Sequence, residues 1–135
     1  MKKSISIFIL IISSMLMFTA CTDKTLNEDG DGAVYKVISA AECKKIIDEQ
    51  DGYVILDVRT QEEFDEGHIE GAILVPDYDI ATKIESVLTD KNQLILVYCR
   101  TGRRSALAAK EMISLGYTNV LDFGGIIDWP YETVK

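Results

Sequence analysis

A cysteine followed at once by a cluster of arginines is the part of this 135-residue sequence best equipped for chemistry. Cys99 closes an apolar run, and Arg100, Arg103 and Arg104 bring three positive charges within the next five positions. Gly102 permits a tight turn in which successive backbone N–H groups point inward and form an anion-binding nest. Because these groups all stabilise an anion, we expect the pKa of the Cys99 thiol to lie below its ordinary value of about 8.5, which makes the sulfur a nucleophilic thiolate.

The segment 100–104, which includes Thr101, is therefore the predicted anion-binding loop. The alternative is a core cysteine that happens to precede a solvated run of arginines. A core cysteine is not usually followed directly by Arg-Thr-Gly-Arg-Arg, so the sequence favours a functional Cys99.

Strands and helices alternate along the chain and must position this loop. Apolar runs predict strands at 35–38, 53–56, 72–75, 94–98 and 119–121. Capping residues and helical spacing predict helices at 40–49, 60–64, 80–88 and 105–115. Continuously apolar strands that alternate with helices indicate an α/β fold with a parallel sheet covered on both faces. In such sheets ligands bind beyond the carboxyl ends of the strands, which is where Cys99 lies.

Asp57 and Arg59 are the predicted supporting residues, because Asp57 follows the strand 53–56 directly. The pair either reaches the site or orients the loop through charge-assisted hydrogen bonds. Gly124 and Gly125 are expected to let the backbone pass close to the site. Cys43 lies on the apolar face of its helix and is predicted to belong to the core.

The first 20 residues have the three parts of a secretory signal peptide: a basic start, an apolar run over 5–18 and small residues before Cys21. A small pair followed by cysteine resembles the lipobox of bacterial lipoproteins, although Phe18 stands where that motif usually has leucine. The sequence thus predicts a signal peptide over 1–20 and a lipid anchor on Cys21, in the cell envelope on the extracytoplasmic side of a bacterial membrane. An uncleaved membrane anchor is the alternative, but the apolar run is shorter than the roughly 20 residues that a spanning helix needs.

Residues 21–33 are acidic and almost free of apolar side chains, so we expect a flexible tether there and one folded domain over 34–135. A net charge of −8 disfavours nucleic acid as a partner, since binding to nucleic acid depends on lysine and arginine. The single His68 and the lack of a CxxC pair argue against a zinc site. Thiolate chemistry requires no cofactor, so we expect none.

Three segments resemble the hallmark motifs of the rhodanese family of sulfurtransferases. They are CRTGRRS at 99–105, DVRTQEEFDEGHIEGAILVP at 57–76 and LGYTNVLDFGGIIDW at 115–129. The resemblance implies a rhodanese-like α/β fold with a five-stranded parallel sheet and helices on both faces. It also implies that Cys99 takes up sulfane sulfur as a persulfide from a small anionic donor such as thiosulfate, and passes it to a thiol or protein acceptor.

Two alternatives remain within this resemblance. Rhodanese-like phosphatases have five residues between the cysteine and the arginine, whereas four separate Cys99 from Arg104 here. The shorter loop favours sulfur transfer over phosphoryl transfer. A non-enzymatic sulfane-sulfur carrier or binding module at the membrane would need the same nucleophile and the same loop.

Overall fold

A five-stranded parallel sheet forms the centre of the structure, a computed structural model that describes residues 32–135. The strands are β1 (Val34–Val37), β2 (Tyr53–Asp57), β3 (Ile73–Leu74), β4 (Leu94–Cys99) and β5 (Asn119–Gly125). The helices are α1 (Ala40–Glu49), α2 (Gln61–Glu66), α3 (Ile80–Val87) and α4 (Arg103–Ser114), and short 3₁₀ helices cover Asp77–Asp79 and Ile126–Asp128. The strand order β1-β5-β4-β2-β3 places β4 in the middle of the sheet, and the predicted α/β fold with five parallel strands is confirmed.

The N-terminal predictions fall mostly outside this region. The predicted signal peptide over 1–20 and the predicted lipidation site Cys21 lie outside the described residues, as does most of the tether predicted over 21–33. Within residues 32–135, no helix is long and apolar enough to cross a membrane. The division of the chain into leader, tether and domain stays a prediction.

Two helices begin at reciprocal caps. At α1 the backbone N–H of Glu42 donates to the Ser39 hydroxyl over 3.2 Å, and the Ser39 N–H donates to the Glu42 carboxylate over 2.8 Å. At α2 Thr60 and Glu63 make the same exchange, over 3.3 and 3.0 Å. Each cap satisfies backbone N–H groups that the first turn of a helix leaves unpaired. The cap of α2 also positions Glu63, which forms an ion pair with Arg104 of the predicted anion-binding loop.

Side chains of β4 point alternately to the two faces of the sheet. Ile95, Val97 and Cys99 pack in the core cluster that includes α3 and α4. Leu96 and Tyr98 pack in the second cluster, which includes α1. Both faces are buried, which explains the continuous apolar run, and Cys99 lies on the same face of the sheet as α4.

Two elements near Cys99 differ from the sequence prediction. Helix α4 begins at Arg103, not at 105, because Gly102 adopts a left-handed conformation with φ of 98° and the helix starts directly after it. Strand β5 extends to Gly125 instead of ending at 121. Asp122 and the glycine pair have low strand propensity, but Gly125 pairs with Cys99 next to a bulge in β4.

Candidate active site

Cys99 ends the central strand with its side chain fully buried. The backbone N–H of Gly102 donates to its Sγ atom over 3.0 Å, so one donor of the predicted nest points at the sulfur. The left-handed conformation that this turn requires is readily available to glycine. A Cβ atom at Gly102 would also lie only 3.3 Å from the Cα of Gly124, so the loop is held tightly against the end of β5.

The two buried cysteines have pKa values shifted in opposite directions, although each side chain is 0% exposed. Burial raises the pKa of the Cys43 thiol to about 12. Burial also acts to raise the pKa of Cys99, but hydrogen bonds from the loop outweigh it and bring that pKa below its ordinary value. Ser105, through its backbone N–H and its side chain, and the backbone N–H groups of Gly102 and Thr101 act in this direction. Of these groups, the Gly102 N–H donates to Sγ over 3.0 Å, whereas the Ser105 hydroxyl donates to the Gly102 carbonyl over 3.1 Å. Of these two cysteines, therefore, only Cys99 has hydrogen bonds that stabilise its anionic form.

We expect alkylation of Cys99 by iodoacetamide to titrate with a midpoint below the free-thiol value of about 8.5. Ser105→Ala should raise that midpoint, because it removes a side chain that lowers the pKa of Cys99 and that holds the Gly102 carbonyl through a hydrogen bond of 3.1 Å. Ser114→Ala, an exposed hydroxyl change on the same helix, should leave it unchanged. The extent of modification is measured by mass spectrometry of the Cys99 peptide across a pH series. A wild-type midpoint at or above the free-thiol value would contradict a preformed thiolate.

The three loop arginines differ in their surroundings. Arg100 and Arg103 are exposed, and neither forms an ion pair with any residue of 32–135. Arg104 instead binds Glu63 in a bidentate ion pair, with both N–O distances at 2.8 Å. These hydrogen bonds lower the pKa of Glu63 to about 2. The pair ties the loop to α2, and the expectation that Arg104 binds a donor stays a prediction, with two of its nitrogens already engaged.

Asp57 and Arg59 form a buried ion pair with each other. The Nε atom of Arg59 lies 3.0 Å from both carboxylate oxygens of Asp57, and its Nη2 atom lies 2.7 Å from Oδ2. The same Nη2 atom donates to the carbonyl of Gly67 over 2.8 Å, and the guanidinium lies 5.5 Å from the ring centre of Tyr98. The pair thus contacts Tyr98, the residue before Cys99, and the two roles expected for it, reaching the site or orienting the loop, stay predictions. Removing one partner would leave a buried charge, at a cost of about 3–5 kcal/mol.

Strand β5 approaches the loop from its other side. A Cβ atom at Gly125 would lie 2.3 Å from the carbonyl oxygen of Arg100 and 2.7 Å from the Cα of Thr101. The N–H of Ile127 donates to that same carbonyl over 3.3 Å. As expected, the backbone at the glycine pair passes close to the Cys99 loop, and Gly125 is the residue that makes the close approach.

A buried acid near the site escaped the sequence analysis. Asp122 on β5 is 2% exposed, and its Oδ1 atom accepts the N–H of Gly124 over 2.9 Å. Burial raises the pKa of this carboxyl, although hydrogen bonds from Gly124, Ser105 and Tyr35 act to lower it. The sequence feature that could have indicated this buried acid is its place between two apolar residues, Leu121 and Phe123. The Ser105 hydroxyl lies 3.4 Å from the carbonyl oxygen of Gly124 and so links the start of α4 to the end of β5.

The structure is thus an α/β domain in which a buried cysteine ends the central parallel strand and accepts a hydrogen bond from the turn that follows it. The chain belongs to the rhodanese-like family, since the model of the rhodanese-like domain matches residues 39–130. This confirms the family resemblance of the three motifs.

Individual relatives match over most of their own length. The chain is 36% identical over 80 residues to thiosulfate sulfurtransferase PspE of Escherichia coli, which covers 59% of this chain and 77% of that protein. It is 31% identical over 97 residues to a sulfurtransferase of Allochromatium vinosum, which covers 71% of this chain and 88% of that protein. The solved structure of a rhodanese with anions from E. coli has a TM-score of 0.58 at 35% identity, and covers 62% of this chain and 98% of that chain. The similarity thus extends over more than half of this chain and over most of each relative.

Proposed function

We propose that this protein is a sulfurtransferase that carries sulfane sulfur on Cys99 as a persulfide, with thiosulfate as donor. The observation that carries the proposal is the Cys99 sulfur, which is fully buried and nevertheless has a lowered pKa because of the hydrogen-bond donors around it. A thiolate attacks without a general base. The names of the E. coli and A. vinosum relatives support sulfur transfer as the activity.

The reaction consists of two displacements at sulfur. The Cys99 thiolate attacks the outer sulfur of thiosulfate, a new S–S bond forms, and the S–S bond of thiosulfate breaks with sulfite as the leaving group. An acceptor nucleophile such as cyanide then attacks the terminal sulfur, and Cys99 leaves as a thiolate. The inward N–H groups stabilise the anion before, between and after these steps.

Positive charge at the mouth of the loop supports an anionic donor. Arg100 and Arg103 are exposed and have no ion-pair partner in the described part of the chain, so they are available to a dianion. Their field raises the local concentration of anions, and more strongly for a dianion than for a monoanion. The related E. coli rhodanese was solved with anions.

The position of Arg104 supports sulfur over phosphate as the transferred group. A phosphatase of the kind described above needs its arginine for the phosphate oxygens. Here Glu63 already holds the guanidinium through two hydrogen bonds of 2.8 Å. The shorter loop and the ion pair of Arg104 both favour transfer of a single sulfur atom over transfer of the larger phosphoryl group.

The proposed cellular setting rests on the sequence alone. The apolar run before Cys21 and the acidic stretch 22–32 support a protein that is lipid-anchored through Cys21 outside the cytoplasm. The tether would let the domain meet its partners at the membrane surface.

Mass spectrometry of the protein after treatment with thiosulfate tests the proposal. We expect a mass gain of one sulfur atom on the Cys99 peptide, its loss on addition of cyanide, and the appearance of thiocyanate. We expect no useful hydrolysis of aryl phosphates. Hydrolysis that depends on Cys99, with no persulfide from any sulfane donor, would overturn the proposal. A stable sulfur adduct that does not turn over would instead identify a carrier.

A further inference from the structure

Asp122 lies within β5 with its side chain 2% exposed. Val120, two residues earlier on the same strand, packs in the core cluster that contains Cys99. Because side chains alternate along a strand, the Asp122 side chain points to the face of the sheet on which Cys99 lies. A carboxyl group is unfavourable in such a place unless it is hydrogen-bonded, so its hydrogen bond indicates what the acid does there.

The pairing of β5 with β4 becomes irregular directly after Asp122. In the ladder between the two strands, Val97 lies opposite Asp122. Two residues further along β4, Cys99 lies opposite Gly125, which is three residues further along β5. Gly124, in this irregular stretch, has φ of 87° and donates its N–H to the Oδ1 atom of Asp122 over 2.9 Å. An interrupted ladder leaves backbone groups without a strand partner, and the carboxyl supplies an acceptor for one of them.

The backbone that Asp122 holds lies against the Cys99 loop. A Cβ atom on Gly102 would lie 3.3 Å from the Cα of Gly124 and 3.6 Å from its carbonyl carbon. The Ser105 hydroxyl lies 3.1 Å from the Gly102 carbonyl oxygen and 3.4 Å from that of Gly124. The Gly102 N–H in turn donates to the Cys99 sulfur over 3.0 Å. A continuous series of contacts therefore leads from the carboxyl group to the sulfur.

We propose that Asp122 is a positioning residue for sulfur transfer, which holds the Gly124 backbone against the loop and thereby keeps the Gly102 N–H directed at the Cys99 sulfur. This inference rests on the proposed function. The acid acts through these contacts and not through its charge, and the two effects have opposite signs. A nearby negative charge raises the pKa of a thiol, so loss of that charge would lower the pKa of Cys99. Loss of the aligned N–H donor raises it.

Asp122→Val in the full-length protein tests the positioning role. Valine is similar in size to aspartate and favours strands, so a position with only a packing role should accept it. The substitution leaves the Gly124 N–H without its acceptor. We expect kcat/KM for transfer from thiosulfate to cyanide to fall on the order of tenfold, and the midpoint of Cys99 alkylation by iodoacetamide to rise by about one pH unit. Tyr35, which packs against the same cluster from β1, has a pKa raised by burial and stays neutral through this titration.

Two further variants separate the hydrogen bond from charge and from stability. Asp122→Asn removes the charge but keeps an oxygen that can accept the Gly124 N–H, so it should restore both the transfer rate and the alkylation midpoint. Tyr117→Phe is the control for stability, because it removes a buried hydrogen bond of 2.6 Å to the Leu88 carbonyl, away from the loop. We expect lower resistance to urea in this control, with transfer and alkylation as in the wild type.

The direction of the alkylation shift decides the question. A midpoint in Asp122→Val that is lowered or unchanged, or one that rises equally in Asp122→Asn or Tyr117→Phe, would overturn the positioning role. Asp122→Ala takes the place of the valine variant if that protein does not fold, and failure of both to fold would show that the acid serves folding instead. Alkylation requires no sulfur donor. A wild-type protein that forms no persulfide would therefore count against the proposed function and leave the alkylation test intact.

Discussion

Cys99→Ser should abolish transfer of sulfur from thiosulfate to cyanide, with thiocyanate formation reduced to the background rate. The serine hydroxyl stays protonated at neutral pH and cannot hold sulfane sulfur. The surrounding donors would then have no anion to stabilise, although the loop itself can stay in place because serine is smaller than cysteine. Thiocyanate is measured colorimetrically, and intact mass should show no sulfur adduct on the variant.

Cys43→Ser is the matched control, because Cys43 is equally buried and lies on the opposite face of the sheet. Its thiol has a raised pKa of about 12, so it is not a nucleophile near neutral pH. We expect this variant to retain most activity and to lose about 1–2 kcal/mol of unfolding free energy, measured by urea denaturation. Loss of transfer in Cys43→Ser without unfolding would show that Cys99 is not the sole sulfur carrier.

Local signals were sufficient to predict the order and type of the main elements. The Ser39 cap and helical spacing placed α1 at its observed bounds, and the apolar run placed β4 one residue short of its observed end. Both faces of the sheet are covered, so the strands carry an unambiguous apolar pattern. The end of β5 was predicted too early, because Asp122 and the glycines are stabilised by partners distant in sequence.

The residues of the Cys99 loop could be recognised from the sequence, whereas the contacts that support the loop could not. The cysteine, glycine and arginines are adjacent in sequence, and the anion nest follows from their local order. The ion pair between Glu63 and Arg104 joins residues 41 positions apart, so no local pattern could indicate it. Sequence also could not separate the engaged Arg104 from the two exposed arginines. Such contacts depend on which strands become neighbours in the sheet.

Gly125→Ala should greatly reduce sulfur transfer, with kcat/KM falling on the order of 100-fold, because misplacement of a reacting atom by about 1 Å can have an effect of that size. The backbone of Gly125 has φ of −110° and ψ of 143°, which alanine adopts freely. The obstacle is space: the new Cβ atom would lie 2.3 Å from the Arg100 carbonyl oxygen and 2.7 Å from the Thr101 Cα. Both are backbone atoms, so the loop or β5 must shift, and the N–H groups would move away from the Cys99 sulfur. Overpacking of this kind also costs about 1–3 kcal/mol of stability.

Gly52→Ala separates the loss of stability from the loss of transfer. Gly52 has φ of 80° in the turn before β2, and a Cβ atom there would meet no atom within 4 Å. The strained conformation should cost about 1 kcal/mol, while transfer should stay at the wild-type rate. Kinetics and urea denaturation of both variants, with alkylation of Cys99 as a third measurement, give the comparison. We expect the alkylation midpoint to rise in Gly125→Ala and to stay unchanged in Gly52→Ala. Full transfer activity in a folded Gly125→Ala protein would show that the close passage of β5 does not set the position of the loop.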